Sequence, residues 1–216
     1  MKLYVIRHGQ TSWNVEGRIQ GQVDIDLNEN GVELARRTAS GIKDLPIDLI
    51  ITSPFARAKN TALLATAGRD IPIIEDVRLS EMAFGEWEGQ YNDNRDHVLC
   101  DDFLKTLRED IFSLNPPGGE NVRDVIRRTG DFLKELGEDP SLADSNIMIS
   151  SHGIASRALL YNFNENQNSR NFWITSVPPN CSITTVDYTN GKGKILEFDK
   201  LYAHLDTTEK DAWSRS

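Results

Sequence analysis

Leu3-Tyr4-Val5-Ile6-Arg7-His8-Gly9-Gln10-Thr11 is the stretch that decides the fold. The apolar run that opens it has the length and composition of a buried β-strand, and the small polar residues that close it are typical of a helix start. A strand that ends in a tight polar turn before a helix places its last side chains at the carboxyl edge of a sheet, where open α/β sheets bind ligands. Arg7 offers a planar fork of donors suited to a phosphate or a carboxylate. His8 can act as a nucleophile, a proton carrier or a metal ligand. Taken alone, the two residues fit a ligand site and a structural Arg-His pair equally well.

Outward from this stretch, apolar periodicity predicts alternating helices and strands. The predicted elements are a helix from 28 to just before Pro46, a strand at 48–52, a helix at 53–68 and a weak strand at 72–75. Ser53 is a suitable N-cap for the second helix, with Pro54 in its first turn. Residues 13–28 show no helical period and predict a loop. Strands alternating with helices imply a largely parallel sheet that helices cover on both faces.

The second half of the chain departs from this alternation. Residues 79–89 predict a loop with two glycines, aromatic side chains and carboxylates, and the Pro-Gly run at 115–119 is the clearest break in the chain. An amphipathic helix is predicted over 120–136, so residues 84–137 are expected to form a helical excursion over the strand ends. A strand at 146–151 leads into His152 and Gly153, which repeats the opening order of apolar run, histidine and glycine. The segments 182–188 and 194–198 predict a terminal β-hairpin.

Composition limits the class of protein. The 216 residues fit one large domain, or one domain that carries an insertion, and 38% hydrophobic with 26% charged residues is ordinary for a globular protein. A net charge of -9 argues against nucleic-acid binding, because phosphate backbones attract basic surfaces. No stretch approaches the roughly 20 apolar residues of a membrane span, and a strand that begins at residue 3 leaves no room for a signal peptide. We therefore expect a cytoplasmic protein in which Cys100 and Cys181 are ordinary thiols.

Three strand ends carry groups of complementary chemistry. Arg7 and His8 follow the first strand, Arg57 follows the second and His152 follows a later one, while the loop at 79–89 supplies carboxylates. In an acidic protein, such cations at one sheet edge make a local anion site. A neutral histidine can attack a phosphoryl group held there, the cations can stabilise its oxygens, and a carboxylic acid can protonate the leaving oxygen. Only four histidines are present and no pair has metal-ligand spacing, so no metal is predicted.

Several motifs occur in a fixed order over nearly the whole chain. They are Arg7-His8-Gly9-Gln10-Thr11, the continuation over 13–31, Ser53-Pro54 with Arg57-Ala58 and Thr61-Ala62, the loop of Leu79, Glu81, Gly85 and Trp87-Glu88-Gly89, the run Pro117-Gly118-Gly119-Glu120, and Ser151-His152-Gly153. Together they resemble the histidine phosphatase superfamily of phosphoglycerate mutase-like proteins, and the Pro-Gly-Gly-Glu loop is typical of its bacterial members. The resemblance implies a three-layer α/β/α sandwich around a mixed, mostly parallel six-stranded sheet.

The resemblance also implies roles for individual residues. His8 corresponds to the nucleophile that forms a phosphohistidine, and Glu81 corresponds to the proton donor. The implied phosphate clamp is Arg7, Arg57 and His152. The implied further contacts to phosphate or substrate are Asn14, Gln20, Gly21 and Gly153. No metal or organic cofactor is implied, the expected partner is a small phosphorylated metabolite, and a homodimer is left open.

Two positions separate a phosphatase from a mutase within this family. The mutase-like branch usually has an arginine directly after the glutamate and a tyrosine two residues beyond that arginine. This chain has Met82 at the first of these positions and Phe84 at the second. The basic pair Arg127-Arg128 is interpreted as solvated or structural, since exposed charges are the default. The sequence therefore favours a phosphomonoester hydrolase of the histidine acid type, with cofactor-dependent phosphoglycerate mutase as the alternative.

A catalytically inactive module that binds a phosphorylated ligand is an alternative of another class. Loss of a central group would favour it, and all of these groups are present. Specificity is expected to come from the excursion at 84–137. There Tyr91, Phe103, Leu107 and Phe112 either line the mouth of the site or pack a small core.

Overall fold

A six-stranded sheet organises the computed structural model, which describes residues 1–93, 95, 97, 99, 103–164, 172–173 and 176–203. The strands are β1 (Lys2–Arg7), β2 (Leu49–Thr52), β3 (Ile73–Glu75), β4 (Asn146–Ser151), β5 (Ile183–Thr189) and β6 (Lys192–Lys200). Their order across the sheet is β3-β2-β4-β1-β5-β6. The first four strands in chain order pair in parallel, whereas β5 and β6 run antiparallel. The predicted mixed, mostly parallel sheet and its terminal hairpin are confirmed.

Helices cover both faces of this sheet. The α-helices of the described chain are α1 (Ser12–Glu16), α2 (Glu29–Gly41), α3 (Ala56–Ala65), α4 (Phe103–Glu109), α5 (Val122–Glu138) and α6 (Gly153–Tyr161). Alternate residues of β1 point to opposite faces. Leu3 and Val5 pack with residues of α5 and α6, while Tyr4 and Ile6 pack with Ala62 of α3 and with residues after α2. The strands and the two helical layers therefore form the expected α/β/α sandwich.

The helices α1 and α3 differ in part from the sequence predictions. Helix α1 starts at Ser12, where the polar residues predict a helix start, but it continues to Glu16 into the predicted loop at 13–28, because Thr11 and Asn14 form a capping box that stabilises this short turn of helix. Helix α3 begins at Ala56 with Phe55 at the N-cap position, and not with Ser53. Asp24 Oδ1 accepts the hydrogen bond from the Ala56 backbone N–H at 2.8 Å, so a carboxylate distant in sequence caps α3.

The region 84–137 is divided between two hydrophobic clusters. Val122 and Val125, in the first turns of α5, pack in the cluster that also contains Phe103 of α4. Phe132 and Leu133, further along α5, pack against the sheet together with β1 residues. Among the described residues of this region, those before the middle of α5 pack in the first cluster, whereas the amphipathic face of α5 continues into the sandwich. The division of the chain into one domain with a helical excursion stays a prediction.

Two features predicted from composition concern cysteines and membranes. Cys181 is fully buried, and burial raises the pKa of its thiol to about 12, as expected for an inert thiol. Cys100 lies outside the described residues. Among the helices of the described chain, none combines the length and the apolar character needed to cross a membrane.

Candidate active site

The carboxyl ends of β1, β4 and β2 meet at one edge of the sheet. In the parallel registers, Arg7 lies opposite Ser151 and Thr52 lies opposite Ser150. The residues that directly follow these strands therefore lie side by side at the carboxyl edge of the sheet. The rings of His8 and His152 lie with their centroids 5.2 Å apart, although the residues are far apart in sequence. The predicted convergence of the two histidine motifs is present in the structure.

His8 is fixed by main-chain and side-chain hydrogen bonds. Its backbone N–H donates to the Ser151 carbonyl at 3.0 Å, and its own carbonyl accepts from Asn180 Nδ2 at 2.8 Å. The ring atom Nδ1 lies 2.7 Å from the Gly9 carbonyl oxygen. Because a carbonyl oxygen can only accept, Nδ1 carries the hydrogen and Nε2 keeps a lone pair. Burial lowers the pKa of His8 well below its ordinary value, and the charges of Arg57 and Arg7 lower it further. The ring is therefore neutral at neutral pH, with Nε2 as its nucleophilic atom.

His152 is held as the opposite tautomer. Arg57 Nε donates to His152 Nδ1 at 3.1 Å, and since a guanidinium can only donate, Nδ1 is unprotonated. Nε2 therefore carries the hydrogen and donates it to Ser53 Oγ at 2.8 Å. Burial, followed by the charge of Arg57, lowers the pKa of His152 well below its ordinary value. With both ring nitrogens bonded to protein groups, His152 orients Arg57, and its predicted contact with phosphate stays a prediction.

Two buried arginines supply the positive charge of the site. The Arg57 side chain donates through Nη1 to the Val23 carbonyl at 2.8 Å and through Nη2 to the Gly21 carbonyl at 2.7 Å. Arg7 donates through Nη1 to the Pro178 carbonyl. Burial lowers the pKa of Arg7 to about 10 and also lowers the pKa of Arg57, yet both guanidinium groups stay charged at neutral pH. Two cations beside a neutral imidazole make an anion site inside an acidic protein.

The loop bonded to Arg57 requires glycine at position 21. Gly21 has a φ of +51°, in the left-handed region that glycine adopts without cost, and an added Cβ would lie 2.1 Å from Glu88 Oε1. That same oxygen accepts from the backbone N–H groups of Gln22 and Phe84 at 2.9 Å each. Glu88 therefore ties this loop to the acidic loop at 79–89. The sequence contains Glu88 in its Trp-Glu-Gly motif, but its role as a tie between two loops was not predicted.

The Glu81 carboxyl lies at the N-terminus of α6. Its Oε1 accepts from the backbone N–H groups of Met82 at 2.9 Å and Ala155 at 3.0 Å, and Oε2 accepts from that of Ile154 at 3.1 Å. Helix N-termini favour carboxylates through their unpaired N–H groups and their dipole. Oε2 has one such partner and Oε1 has two, so Oε2 has the greater unused capacity for a further hydrogen bond.

A cavity of about 150 Å³ opens among these groups. Most of the predicted site residues line it, namely Arg7, His8, Gln20, Gly21, Arg57, Glu81 and Gly153. Asn14 and His152 are not among the lining residues. Asn14 Oδ1 accepts from the Thr11 backbone N–H at 3.1 Å within the capping box of α1, so this oxygen serves the helix start.

The remaining lining residues form a wall that is mainly apolar. Those not predicted as site residues from the sequence are Ile19, Phe84, Asn92, Ile154, Trp173 and Val177. Ile154 follows the second histidine motif directly, so its place in the chain was a usable signal. Trp173 carried no such signal, and it is held by a hydrogen bond from its Nε1 to the Leu107 carbonyl at 2.7 Å.

The four side chains proposed for the mouth of the site separate into two groups. Phe103 and Leu107 line the cavity and also pack in the adjoining hydrophobic cluster, so both interpretations hold for them. Phe112 packs against Tyr161 and Phe172, with ring centroids 5.9 and 6.1 Å apart. Tyr91 lies under the guanidinium group of Arg18, 4.4 Å from it. Neither Tyr91 nor Phe112 lines the cavity.

The described residues bring together no group of three histidine, cysteine, aspartate or glutamate side chains able to hold a metal ion. The chemistry that these residues offer is that of a neutral nucleophile, two guanidinium groups and one carboxyl. This set can bind a phosphoryl group, attack it and exchange a proton with its leaving oxygen.

Comparisons with known proteins agree with this arrangement. The 2,3-bisphosphoglycerate-dependent phosphoglycerate mutase 2 of Gloeobacter violaceus is 34% identical over 163 residues, which cover 73% of either chain. The uncharacterized phosphatase PhoE of Bacillus subtilis is 28% identical over 205 residues, covering 93% of this chain and 95% of that protein. A mycobacterial glucosyl-3-phosphoglycerate phosphatase, solved with VO3, has a TM-score of 0.79 at 28% identity and covers 92% of this chain and 98% of its own. The profile of the histidine phosphatase superfamily (branch 1) matches residues 3–200. The chain therefore belongs to the histidine phosphatase superfamily and is an enzyme of that superfamily.

Proposed function

We propose that this enzyme is a phosphomonoesterase that works through a phosphohistidine at His8. The observation that carries the proposal is the neutral His8 ring, whose Nδ1 is committed to the Gly9 carbonyl at 2.7 Å and whose Nε2 is left to attack a phosphoryl group. Arg7 and Arg57 line the same cavity and would hold the phosphoryl oxygens. The substrate is a small phosphorylated metabolite, and the homodimer and the cytoplasmic location stay predictions.

The first half-reaction transfers the phosphoryl group to the enzyme. Nε2 of His8 attacks phosphorus, the N–P bond forms, and the P–O bond to the alcohol breaks. The Glu81 carboxyl gives its proton to the leaving oxygen, so that a neutral alcohol departs. Arg7 and Arg57 stabilise the negative charge on the phosphoryl oxygens. Hydrogen bonds to the protein already hold both guanidinium groups in place, so these groups need little reorganisation during the reaction.

The second half-reaction returns the enzyme to its starting state. Water attacks phosphorus, the N–P bond breaks, and the Glu81 carboxylate takes the proton that water loses, by microscopic reversibility. Inorganic phosphate leaves, and Nε2 of His8 regains its lone pair. The Glu81 side chain lines the cavity, and its carboxyl group contacts the N-terminus of α6, the helix that directly follows His152. One carboxyl group can therefore serve both steps.

The alcohol side of the cavity favours a phosphatase over a mutase. A mutase needs a cationic grip on the carboxylate of phosphoglycerate, and among the described lining residues the cations are Arg7 and Arg57. Met82 is fully buried in the hydrophobic cluster, and Phe84 contributes an apolar ring to the cavity. The wall is therefore suited to an uncharged, partly apolar alcohol group.

The basic pair Arg127-Arg128 does not supply a cation for the carboxylate of phosphoglycerate. Arg127 is exposed and bonds Asp124 on its own helix at 2.8 Å. Arg128 donates to Glu120 at 2.9 Å and to backbone carbonyls. This supports the interpretation of the pair as solvated and structural. An inactive binding module is disfavoured, because the nucleophile, the cations and the carboxyl are all assembled.

Two assays on one preparation test the proposal. Release of inorganic phosphate is measured from a panel of phosphomonoesters with apolar, sugar and carboxylate-bearing alcohols, beside a coupled assay of exchange between 2- and 3-phosphoglycerate. We expect phosphate release without added bisphosphoglycerate and slow isomer exchange. Rapid mixing with labelled substrate followed by an alkaline quench should trap an acid-labile phosphoprotein, which His8→Ala should abolish. Isomer exchange far faster than phosphate release would establish the mutase, and normal turnover by His8→Ala would remove His8 from the mechanism.

A further inference from the structure

An ion pair outside the cavity holds the segment that carries Glu81. Arg128 of α5 donates through Nε to Glu120 Oε1 at 2.9 Å and through Nη2 to Glu120 Oε2 at 3.1 Å. The same guanidinium donates through Nη1 to the Arg78 carbonyl at 2.6 Å and through Nη2 to the Glu81 carbonyl at 3.0 Å. The side chains are 17% and 23% exposed, so the pair is largely removed from water. One planar fork therefore binds a carboxylate and two backbone carbonyls at once.

Glu120 adds a second attachment to the same segment. Its Oε2 accepts from the Ala83 backbone N–H at 2.9 Å, and its own backbone N–H donates to the Ala83 carbonyl at 2.8 Å. Arg128 and Glu120 together thus grip the chain on both sides of Glu81, at residues 78, 81 and 83. This segment is neither strand nor α-helix, so no regular backbone ladder fixes its position.

The Glu81 side chain is placed from the other side by α6. Its carboxyl oxygens accept from the backbone N–H groups of Ile154 and Ala155 at 3.1 and 3.0 Å. These bonds orient the carboxyl group, but its distance from the substrate also depends on where the Glu81 backbone lies. Arg128 is the side chain of α5 that bonds directly to that backbone, through the Glu81 carbonyl.

We propose that Arg128 and Glu120 are positioning residues that set the Glu81 carboxyl at the leaving oxygen of the substrate. The inference rests on the proposed role of Glu81 as proton donor. Neither Arg128 nor Glu120 lines the cavity in the described structure, so both act through the segment that they hold. A lysine at position 128 carries the charge but cannot bind a carboxylate and two carbonyls in one plane. Its effect should therefore fall on proton transfer and not on phosphate binding.

Leaving-group dependence separates positioning from general stabilisation. A nitrophenyl leaving group needs little protonation, whereas an alkyl alcohol depends on it, so a misplaced acid harms alkyl phosphates selectively. We expect Arg128→Lys to lower kcat/KM for an alkyl phosphate about tenfold or more, and to lower kcat/KM for nitrophenyl phosphate by less than about threefold. The ratio kcat/KM is the readout because it reports phosphoryl transfer from the substrate, whereas kcat also includes hydrolysis of the phosphohistidine, which is the same step for both substrates. Arg127→Lys, at the exposed neighbouring position, is the matched control and should leave both substrates unaffected.

Coupling to Glu81 completes the test. In a Glu81→Gln background, Arg128→Lys should cause no further loss on the alkyl phosphate, because nothing remains to be positioned. Glu120→Gln keeps an acceptor for the Ala83 N–H and should give a smaller selective loss than Glu120→Ala, which provides the readout should Arg128→Lys fold poorly. Equal losses of kcat/KM on both substrates, no loss of kcat/KM at all, or losses additive with Glu81→Gln would overturn the inference while leaving the phosphatase proposal intact. A Glu81→Gln variant without leaving-group selectivity would overturn both the role of Glu81 and the inference, and absence of a phosphoprotein would remove the proposed function itself.

Discussion

Replacing Arg57 by lysine keeps one positive charge in the site and removes the planar fork. Arg57 is fully buried and makes three side-chain hydrogen bonds, to His152 Nδ1 at 3.1 Å and to the carbonyls of Val23 and Gly21 at 2.8 and 2.7 Å. Each of these partners is bonded through a different nitrogen of the guanidinium group, so a single ammonium group cannot reach all three of them. We expect Arg57→Lys to leave two of the three acceptors without their charged donor.

The structure sets the size of the effect. Hydrogen bonds to charged groups contribute about 1.5–3 kcal/mol each, so two lost bonds cost about 3–6 kcal/mol of folding stability. That is a large fraction of the roughly 5–15 kcal/mol available to an ordinary domain. In catalysis, loss of the fork at the phosphoryl oxygens should lower kcat/KM by about a hundredfold or more, which corresponds to about 3 kcal/mol of transition-state binding.

Two measurements keep the stability and catalytic effects apart. Thermal unfolding gives the loss of stability, and kcat/KM for nitrophenyl phosphate is then measured at a temperature where the variant is fully folded. Arg127→Lys on α5, where Arg127 bonds Asp124 on the surface at 2.8 Å, is the matched control and should change neither quantity measurably. A loss of less than about fivefold in kcat/KM for folded Arg57→Lys, near 1 kcal/mol, would place Arg57 outside the phosphate site.

Two further perturbations test the buried histidines and the loop at Gly21. Burial lowers the pKa of His8 and His152 below the ordinary 6.5, so the unfolded chain binds protons that the folded chain excludes. The stabilisation is complete above about pH 6.5 and declines as the pH falls towards the folded-state pKa values of the two histidines. Thermal unfolding at about pH 7.5 and at about pH 5.5 measures this decline in stability. An equal decline in the His152→Gln variant would contradict the assignment of the decline to the His152 ring. Gly21→Ala combines a left-handed φ with a contact that displaces Glu88 from two hydrogen bonds, so it should cost about 2–4 kcal/mol of unfolding free energy and much of the activity. Gly68→Ala has the same kind of φ with open space around the added Cβ and should cost only about 1–2 kcal/mol; equal losses in urea unfolding would show that the Glu88 contact is unimportant.

Much of the site could be predicted from the sequence because its groups follow strand ends. Each apolar run marks a buried strand, and the residue after a parallel strand lies at the carboxyl edge of the sheet. Arg7, His8 and Arg57 line the cavity that this edge forms, and Glu81, which the family resemblance singled out within the loop at 79–89, lines it too. The alternation of strands and helices predicted the covered, mostly parallel sheet for the same local reason, since periodicity reports which side of each element is buried.

The start of α3 and the hydrogen bonds of His152 depended on contacts that periodicity does not encode. Ser53 had the side chain of an N-cap, but its hydroxyl accepts from His152 Nε2 at 2.8 Å, and the carboxylate of Asp24 caps the helix instead. Both partners reach Ser53 and Ala56 only after the strands have assembled. A capping propensity is local, so it could not anticipate competition from a histidine 99 residues away.

The sequence by itself determined which residues follow which strands, and with them the chemical groups of the site. Only the tertiary structure decided how those groups are oriented and what surrounds them. Insertion of β4 between β1 and β2 brings His152 beside His8 and Arg57, and its hydrogen bond with Arg57 fixes the ring tautomer. Trp173 joins the cavity wall, and Arg128 reaches the Glu81 backbone, through packing between segments far apart in the chain. The physical reason is that the local spacing of apolar residues indicates which face of an element is buried. The partner of a buried group depends instead on strand order and helix packing, which bring distant residues together.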